Sequence, residues 1–122
     1  MAGLSLEDLL AVARRAAGAD VRVRDLGLLS AALARVEARA LGRDVYAGVE
    51  ERAAALLHSL ATTAPLVRGN RPFAWLATAV YLARNERPSS LTEEQAVALV
   101  TDVLTGRVES VESIADRLGA PA

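Results

Sequence analysis

The sequence predicts an all-α protein, and three of its features carry that prediction. Apolar residues make up 52% of the chain and aromatic residues only 3%, so Leu, Ala and Val must build the core, a mixture that favours helices. Apolar residues recur at helical spacing in successive segments. Capping residues such as Ser5 and Thr92 begin those segments, and glycines follow them. We therefore predict a compact bundle of about six helices.

Length and charge narrow the class of protein further. A chain of 122 residues fits a single domain, residues 1–122, and can bury roughly two thirds of its unfolded surface. The net charge of −1, with acids and bases interspersed, gives no reason to expect nucleic acid or a membrane as a partner. The absence of cysteine excludes disulfides and thiolate metal sites.

The start of the chain and the lengths of its apolar runs predict a cytoplasmic location. The segment Met1–Asp8 is acidic and lacks the basic region that is typical of a signal peptide. No apolar run reaches the roughly 18–20 residues that a bilayer-spanning helix needs.

The first part of the chain predicts two amphipathic helices. Ser5 caps the first helix, which ends at about Ala17 before Gly18. Residues 19–24 alternate Val with Asp and Arg, which fits a short strand or an extended connector. We favour the connector because no second strand is visible to pair with it. Asp25 then caps a second helix that runs to about Arg39.

Two nearly all-apolar helices follow and should form the centre of the bundle. The first runs from about Asp44 to the residues before Pro65, and its segment Ala53–Ala61 is apolar almost all round. Pro65 ends it, because the residue before a proline avoids helical dihedrals. The second runs from Pro72 to about Arg84. A short loop joins the two, so we expect a helical hairpin with that loop at its tip.

The last part of the chain predicts two further helices. Thr92 to Gln95 form a capping box for a helix that runs to Leu104 and ends at Thr105-Gly106. The final helix starts at Ser110 or Ser113 and ends at Gly119.

The loop between the central helices has the outline of an anion site. Residues 64–72 read Ala-Pro-Leu-Val-Arg-Gly-Asn-Arg-Pro and lead directly into an apolar helix, whose first free N–H groups should face the loop. Arg68 and Arg71, which we call the arginine lip, add positive charge that attracts phosphate or carboxylate without a metal. Gly69 and Asn70 complete the candidate anion site. The alternative is that the loop is the vestige of a lost active site and binds nothing.

This segment resembles the signature of the Fic/Doc family, and within it the death-on-curing (Doc) toxins. Their pattern reads His-Pro-(Phe/Leu)-x-(Asp/Glu)-Gly-Asn-(Lys/Gly)-Arg, followed by a helix rich in Ala and Leu. Four other segments also resemble Doc proteins: Arg24–Arg35, Arg52–Ala61, Ala74–Thr78 and Thr105–Ala115. The resemblance implies a Fic/Doc-type helical bundle with the signature loop between two central buried helices.

The resemblance also implies a chemistry, which is nucleotide-dependent transfer to a hydroxyl of a protein. Most Fic proteins transfer AMP, whereas Doc toxins transfer a phosphate from ATP to elongation factor Tu. In that scheme the signature His is the general base and the acid holds Mg²⁺. The Gly-Asn pair cradles the phosphate, and the Lys and Arg neutralise developing charge.

Three reactive positions of the signature differ here, and two of them carry the general base and the metal-binding acid. Ala64 stands at the His position and cannot accept a proton. Arg68 stands at the acid position, where its fixed positive charge would repel a divalent metal. The sequence therefore predicts no intact catalytic residue and no metal site, and Mg²⁺ is not expected as a cofactor.

The remaining signature positions are partly kept. Gly69 and Asn70 match the family, and Arg71 keeps a positive charge at the Lys/Gly position. Pro72 stands at the Arg position and removes both a guanidinium and one N–H donor. We place Pro72 at the first helical position with Arg71 as the N-cap, because proline disfavours helical dihedrals in the residue before it.

Two functional hypotheses follow. The first is a Doc-like pseudoenzyme of toxin-antitoxin ancestry that acts as a protein-binding or regulatory module. Doc toxins are neutralised by an antitoxin segment that lies against the helical scaffold, so the resemblance implies a protein partner of that kind. The second hypothesis is a transferase with an altered site that still handles ATP or another nucleotide.

His58 has two interpretations. It lies on the first central helix, before the loop, and is the only histidine of the chain, so histidines alone cannot form a metal site. We interpret it as a hydrogen-bonded packing residue. The alternative is a substitute general base for the missing signature histidine.

Overall fold

The computed structural model describes residues 1–119, which contain six α-helices and one small β-hairpin. The helices are α1 (Leu6–Ala17), α2 (Leu26–Val36), α3 (Val49–Thr63), α4 (Asn70–Arg84), α5 (Glu93–Leu104) and α6 (Val111–Leu118). The hairpin pairs β1 (Arg39–Ala40) with β2 (Arg43–Asp44) in antiparallel register. The predicted all-α class and the placement of the loop between two buried helices are confirmed.

The central helix is α3, which packs against α2, α4, α5 and α6. Its segment from Ala53 to Leu57 is fully buried, as are Leu60 and, on α4, Phe73 and Ala77. Burial of each leucine contributes about 1.5–3 kcal/mol relative to an exposed leucine, so this row fixes the position of α3. Although α3 and α4 are largely apolar, no helix within residues 1–119 is long and apolar enough to cross a membrane.

Side-chain caps set the starts of four helices as the sequence predicts, including α2, where the Asp25 carboxylate accepts from the Gly27 N–H. The Ser5 hydroxyl accepts from the Asp8 N–H, and the Asp8 carboxylate accepts in return from the Ser5 N–H. Thr92 and Gln95 form the same reciprocal box at α5. The hydroxyl of Ser110 caps α6, which settles the choice between Ser110 and Ser113. Such caps contribute about 1 kcal/mol each.

The predicted end of α2 and the predicted start of α3 are wrong. The second helix ends at Val36 rather than Arg39, and α3 begins at Val49 rather than Asp44. The intervening residues form the hairpin, whose turn residues Leu41 and Gly42 both have left-handed dihedrals (φ 53° and 76°). Such a turn matches the right-handed twist of paired strands.

A buried arginine explains why the hairpin replaces the expected helix. The Arg52 side chain in α3 is only 8% exposed, and its guanidinium pairs with Asp44 at 3.1 Å and with Glu37 at 3.4 Å. Its Nε also donates to the carbonyl of Tyr46 at 2.9 Å. Because a buried guanidinium needs partners, residues 37–46 fold back over the start of α3 instead of extending it.

The connector between α1 and α2 begins with a turn, closed by the bond from the Val21 N–H to the Gly18 carbonyl at 3.1 Å, and contains no regular strand, in line with the predicted connector. Its Val23 forms one isolated antiparallel bridge, and the partner is Leu66 of the signature loop. The sequence offered no sign of this pairing because the loop does not resemble a strand.

Candidate functional site

The signature loop lies between the end of α3 and the start of α4 and is bounded by two left-handed residues. Ala64, at the position of the family's histidine, ends α3 with φ 49° and ψ 66°. Gly69 is the N-cap of α4 with φ 80°. Between them Pro65 and Leu66 are buried, whereas Val67 and Arg68 are exposed. The loop therefore directs residues 67 and 68 outward.

The side chain of Arg24, in the connector between α1 and α2, braces the signature loop by binding main-chain carbonyl groups. Its Nε donates to the carbonyl of Ala64 at 2.8 Å and its Nη2 to the carbonyl of Thr63 at 2.7 Å. A guanidinium at these last carbonyls satisfies unpaired acceptors and complements the helix dipole. The Val67 N–H also donates to the carbonyl of Arg22 at 2.9 Å. Nothing in the sequence singles out Arg24 for this role, although it lies in a segment that resembles Doc proteins.

Gly69 is required by packing as well as by its dihedrals. A Cβ at this position would lie 2.4 Å from the Cβ of Ala17 at the end of α1. Contacts this short do not occur, so any larger residue would push the loop away from α1. The retention of glycine here therefore has a structural cause that is independent of phosphate binding.

Asn70 closes the loop with its side chain. Its Oδ1 accepts from the Leu66 N–H and its Nδ2 donates to the Leu66 carbonyl, both at 2.9 Å. The amide thus pairs with both backbone groups of one residue, as a neighbouring strand would. One N–H of the Asn70 amide remains for any further ligand.

The expected start of α4 is wrong by two residues. We placed Pro72 at the first helical position and Arg71 at the N-cap, but α4 begins at Asn70 with Gly69 as its N-cap. The bond from the Phe73 N–H to the Gly69 carbonyl at 3.1 Å closes the first turn. Pro72 is therefore the third helical residue, a position where its missing N–H breaks no helical hydrogen bond.

The two cations of the arginine lip differ in their surroundings. The Nη2 of Arg68 lies 3.4 Å from Asp20, and both side chains are strongly exposed (69% and 81%), so this pair is weak. The guanidinium of Arg71 is exposed and makes no hydrogen bond or ion pair within residues 1–119. The backbone N–H groups of Asn70 and Arg71 are also without acceptors in that range. An incoming anion would meet these three donors first.

A groove of about 230 Å³ adjoins Arg71 and separates the start of α4 from α5. Its walls are mostly apolar, and Val97 on its α5 side is 61% exposed. The groove is lined by Arg71, Pro72, Trp75, Glu93, Ala96, Val97, Val100 and Thr101. Trp75 is half-buried in this wall.

His58 is half-buried and engages α2. Its Nδ1 lies 2.8 Å from the Nη1 of Arg35 and must be the acceptor, because a guanidinium only donates. Burial, and then the positive charge of Arg35, lower the pKa of His58 below its ordinary value. The imidazole is therefore neutral at physiological pH, with its proton on Nε2. No hydrogen bond within residues 1–119 joins the imidazole to the signature loop.

The ionisable side chains do not assemble into a metal centre in the described part of the chain. No group of three or more His, Cys, Asp or Glu residues within residues 1–119 has the arrangement that could hold a metal ion. The residue at the family's metal-binding position is Arg68.

The six-helix bundle and its loop between buried helices define a protein of the Fic/Doc type. No family model matches the sequence. A curated relative does match: the chain is 39% identical to Toxin Doc of Mycolicibacterium smegmatis over 117 residues. The match covers 94% of this chain and 89% of that toxin. The chain therefore belongs to the Doc toxin family and has toxin-antitoxin ancestry.

Proposed function

We propose that this protein is a Doc-family pseudoenzyme that acts as a protein-binding or regulatory module. One observation carries the proposal: Arg24 and Asn70 hold the loop in place, but the loop supplies neither a proton acceptor at Ala64 nor a carboxylate at Arg68. The family chemistry needs both groups. The scaffold remains available for binding.

The magnitudes favour loss of turnover over a weak enzyme. Removal of a general base costs about 10²–10⁴ in rate. Removal of one donor that stabilises the transition state costs a further factor of about 10²–10³. Pro72 removes such a donor, and Arg68 replaces the metal ligand with a cation. The combined loss in rate is too large for a weak enzyme, so we expect no turnover.

The groove beside Arg71 supports a protein segment as the ligand of the module. An exposed arginine without a partner, next to an apolar wall that contains Trp75, has the composition of an interaction hot spot. A segment with an acidic residue for Arg71 and an apolar residue for the wall near Val97 would fit. An antitoxin-like helix of amphipathic character is a partner of this kind.

Phosphotransfer from ATP to elongation factor Tu, measured together with growth on expression, tests the loss of activity. We expect neither phosphotransfer nor growth arrest from this chain. The triple variant Ala64→His, Arg68→Asp and Pro72→Arg should gain phosphotransfer, because Arg24, Gly69 and Asn70 already hold the loop. Growth arrest by the natural sequence that disappears in Arg71→Gln would overturn the proposal.

The fluorescence of Trp75, the only tryptophan of the chain, tests the groove directly. The probe is a synthetic peptide of the antitoxin segment that neutralises a Doc toxin. We expect a saturable fluorescence change that weakens at least tenfold in Arg71→Gln and in Val97→Asp. Arg107→Gln, an exposed arginine between α5 and α6, is the matched control. Equal weakening in all three variants, or no binding, would argue against the groove.

The free donors at the start of α4 favour one alternative, a protein that still handles a nucleotide. The N–H groups of Asn70 and Arg71 and the Arg71 guanidinium could hold a phosphate without metal. Calorimetric titration with ATP at low salt, with and without Mg²⁺, separates the two functions. Binding that Mg²⁺ does not improve would favour the alternative, and absence of heat in both titrations would favour the binding module.

A further inference from the structure

A second arginine-centred cluster lies between α2 and α3, apart from the signature loop. The guanidinium of Arg35 donates through Nε to the hydroxyl of Tyr46 at 3.1 Å. Its Nη1 donates to the Nδ1 of His58 at 2.8 Å and to the hydroxyl of Ser59 at 3.1 Å. The guanidinium carbon also lies 5.8 Å from the centre of the Tyr46 ring. All four side chains are half-buried.

The cluster contains a positive charge and no carboxylate. Arg35 forms no ion pair within residues 1–119. Arg52, seven residues before Ser59 on α3, is instead paired with both Glu37 and Asp44. A partly desolvated charge is normally neutralised by an opposite charge, so Arg35 lacks the partner that Arg52 has.

The neutral members of the cluster add unused donors. Each of them accepts a hydrogen bond from Arg35 and keeps a proton of its own: the hydroxyl protons of Tyr46 and Ser59, and the Nε2 proton of His58. None of these protons is donated to another group in the described part of the chain. The cluster therefore offers several donors around one positive charge, and each of its neutral members already accepts a hydrogen bond from Arg35.

We propose that Arg35, Tyr46, His58 and Ser59 form a binding site for a small oxyanion, either a phosphate or a carboxylate group. Such a ligand supplies the negative charge that Arg35 lacks and accepts from the unused donors. Charge-assisted hydrogen bonds of this kind are about twice as strong as neutral ones. Since the four side chains are partly exposed, the ligand can enter from solvent. The site does not depend on any function of the signature loop.

The single histidine makes the site observable by NMR. In a chloride buffer, where burial and Arg35 lower the pKa of His58, the imidazole should titrate below the ordinary range. Added inorganic phosphate or sulfate should shift the His58 ring signals saturably and raise its pKa, because a bound anion favours the protonated imidazole. Sulfate has no titration near neutral pH, so it separates anion binding from buffer effects. Acetate is the parallel arm for a carboxylate ligand.

Variants assign the signal to this cluster. Arg35→Gln should abolish the saturable shift, and Ser59→Ala, which preserves the helix, should weaken binding several-fold. Arg71→Gln is the matched control and should leave the His58 titration unchanged, because Arg71 belongs to the arginine lip. A linear shift without saturation would overturn the site. So would a saturable shift that survives Arg35→Gln, or one that is lost in Arg71→Gln.

Discussion

The β1–β2 hairpin and the signature loop are both tight turns beside α3, but their charges are arranged in opposite ways. In the hairpin, Asp44 pairs with both Arg39 and the buried Arg52. In the loop, Arg68 has one weak partner at 3.4 Å, and Arg71 has none within residues 1–119. The hairpin uses its charges to hold the fold together. The loop is held by hydrogen bonds to its main-chain groups, so the side chains of Arg68 and Arg71 are not needed to hold it.

The largest expected loss of stability comes from substitution of Gly69. Gly42 has a similar φ angle but different surroundings, so the two turn glycines can be compared. Gly69→Ala should lower the free energy of unfolding by about 3 kcal/mol, because strain adds to a clash with Ala17. Gly42→Ala is the matched control, since a Cβ there meets nothing within 4 Å, and it should cost about 1 kcal/mol. Chemical denaturation measures both values. Equal losses would show that α1 does not constrain the loop.

Removal of the buried guanidinium should have the next largest effect. Arg52→Gln should cost about 2 kcal/mol, because it breaks the ion pairs to Asp44 and Glu37 and the bond to the Tyr46 carbonyl. The two carboxylates are partly exposed and can be hydrated, which limits the loss. Denaturation of Arg39→Gln, which removes the exposed partner of Asp44 and a hydrogen bond to the Gly42 carbonyl, provides the comparison and should show a change below about 1 kcal/mol.

His58 should give a smaller effect that depends on pH. Its pKa is lower in the folded protein than in the unfolded chain, so the folded state binds the proton less readily. The resulting stability is fully present above pH 6.5, the ordinary value, and is lost as the pH falls through the folded pKa. Thermal unfolding in chloride buffer from pH 8 to pH 5 measures this loss. In His58→Gln the part of the slope near pH 6 should disappear; an unchanged slope would assign the effect to other groups.

The smallest expected change in stability comes from the arginine lip itself. Arg71→Gln and Arg68→Gln should each change the free energy of unfolding by less than about 0.5 kcal/mol, since exposed charges contribute little. Arg71→Gln should nevertheless weaken ligand binding. Loss of both stability and binding in Arg71→Gln would show that Arg71 supports the fold, as the charged residues of the hairpin do.

The sequence predicted those parts of the fold that depend on local chemistry. Ser5, Thr92 and Ser110 mark helix starts because each caps an N–H only a few residues away. The predicted starts of α3 and α4 were wrong because residues distant in the sequence determine where these helices begin. Arg52 pairs with Asp44 of the hairpin that precedes α3, and Gly69, which has no room for a Cβ beside Ala17, is the N-cap of α4.

In the candidate site, too, the sequence predicted local features and missed the contacts between distant residues. The resemblance located the loop and its substituted positions, which are properties of the sequence. It could not reveal that Asn70 binds the backbone of Leu66 or that Arg24 binds the carbonyl of Ala64, forty residues along the chain. The donor cluster around Arg35 was equally hidden, because His58 gave the only signal and its partner lies on another helix.

The brace on the signature loop has a consequence for how this family can change. Arg24 and Asn70 grip main-chain atoms, and these atoms are the same whichever side chains stand at positions 64 and 68. Substitutions at those two positions therefore leave the brace in place. A few codon changes can therefore exchange the side chains at positions 64 and 68 on one unchanged frame, without a misfolded intermediate variant.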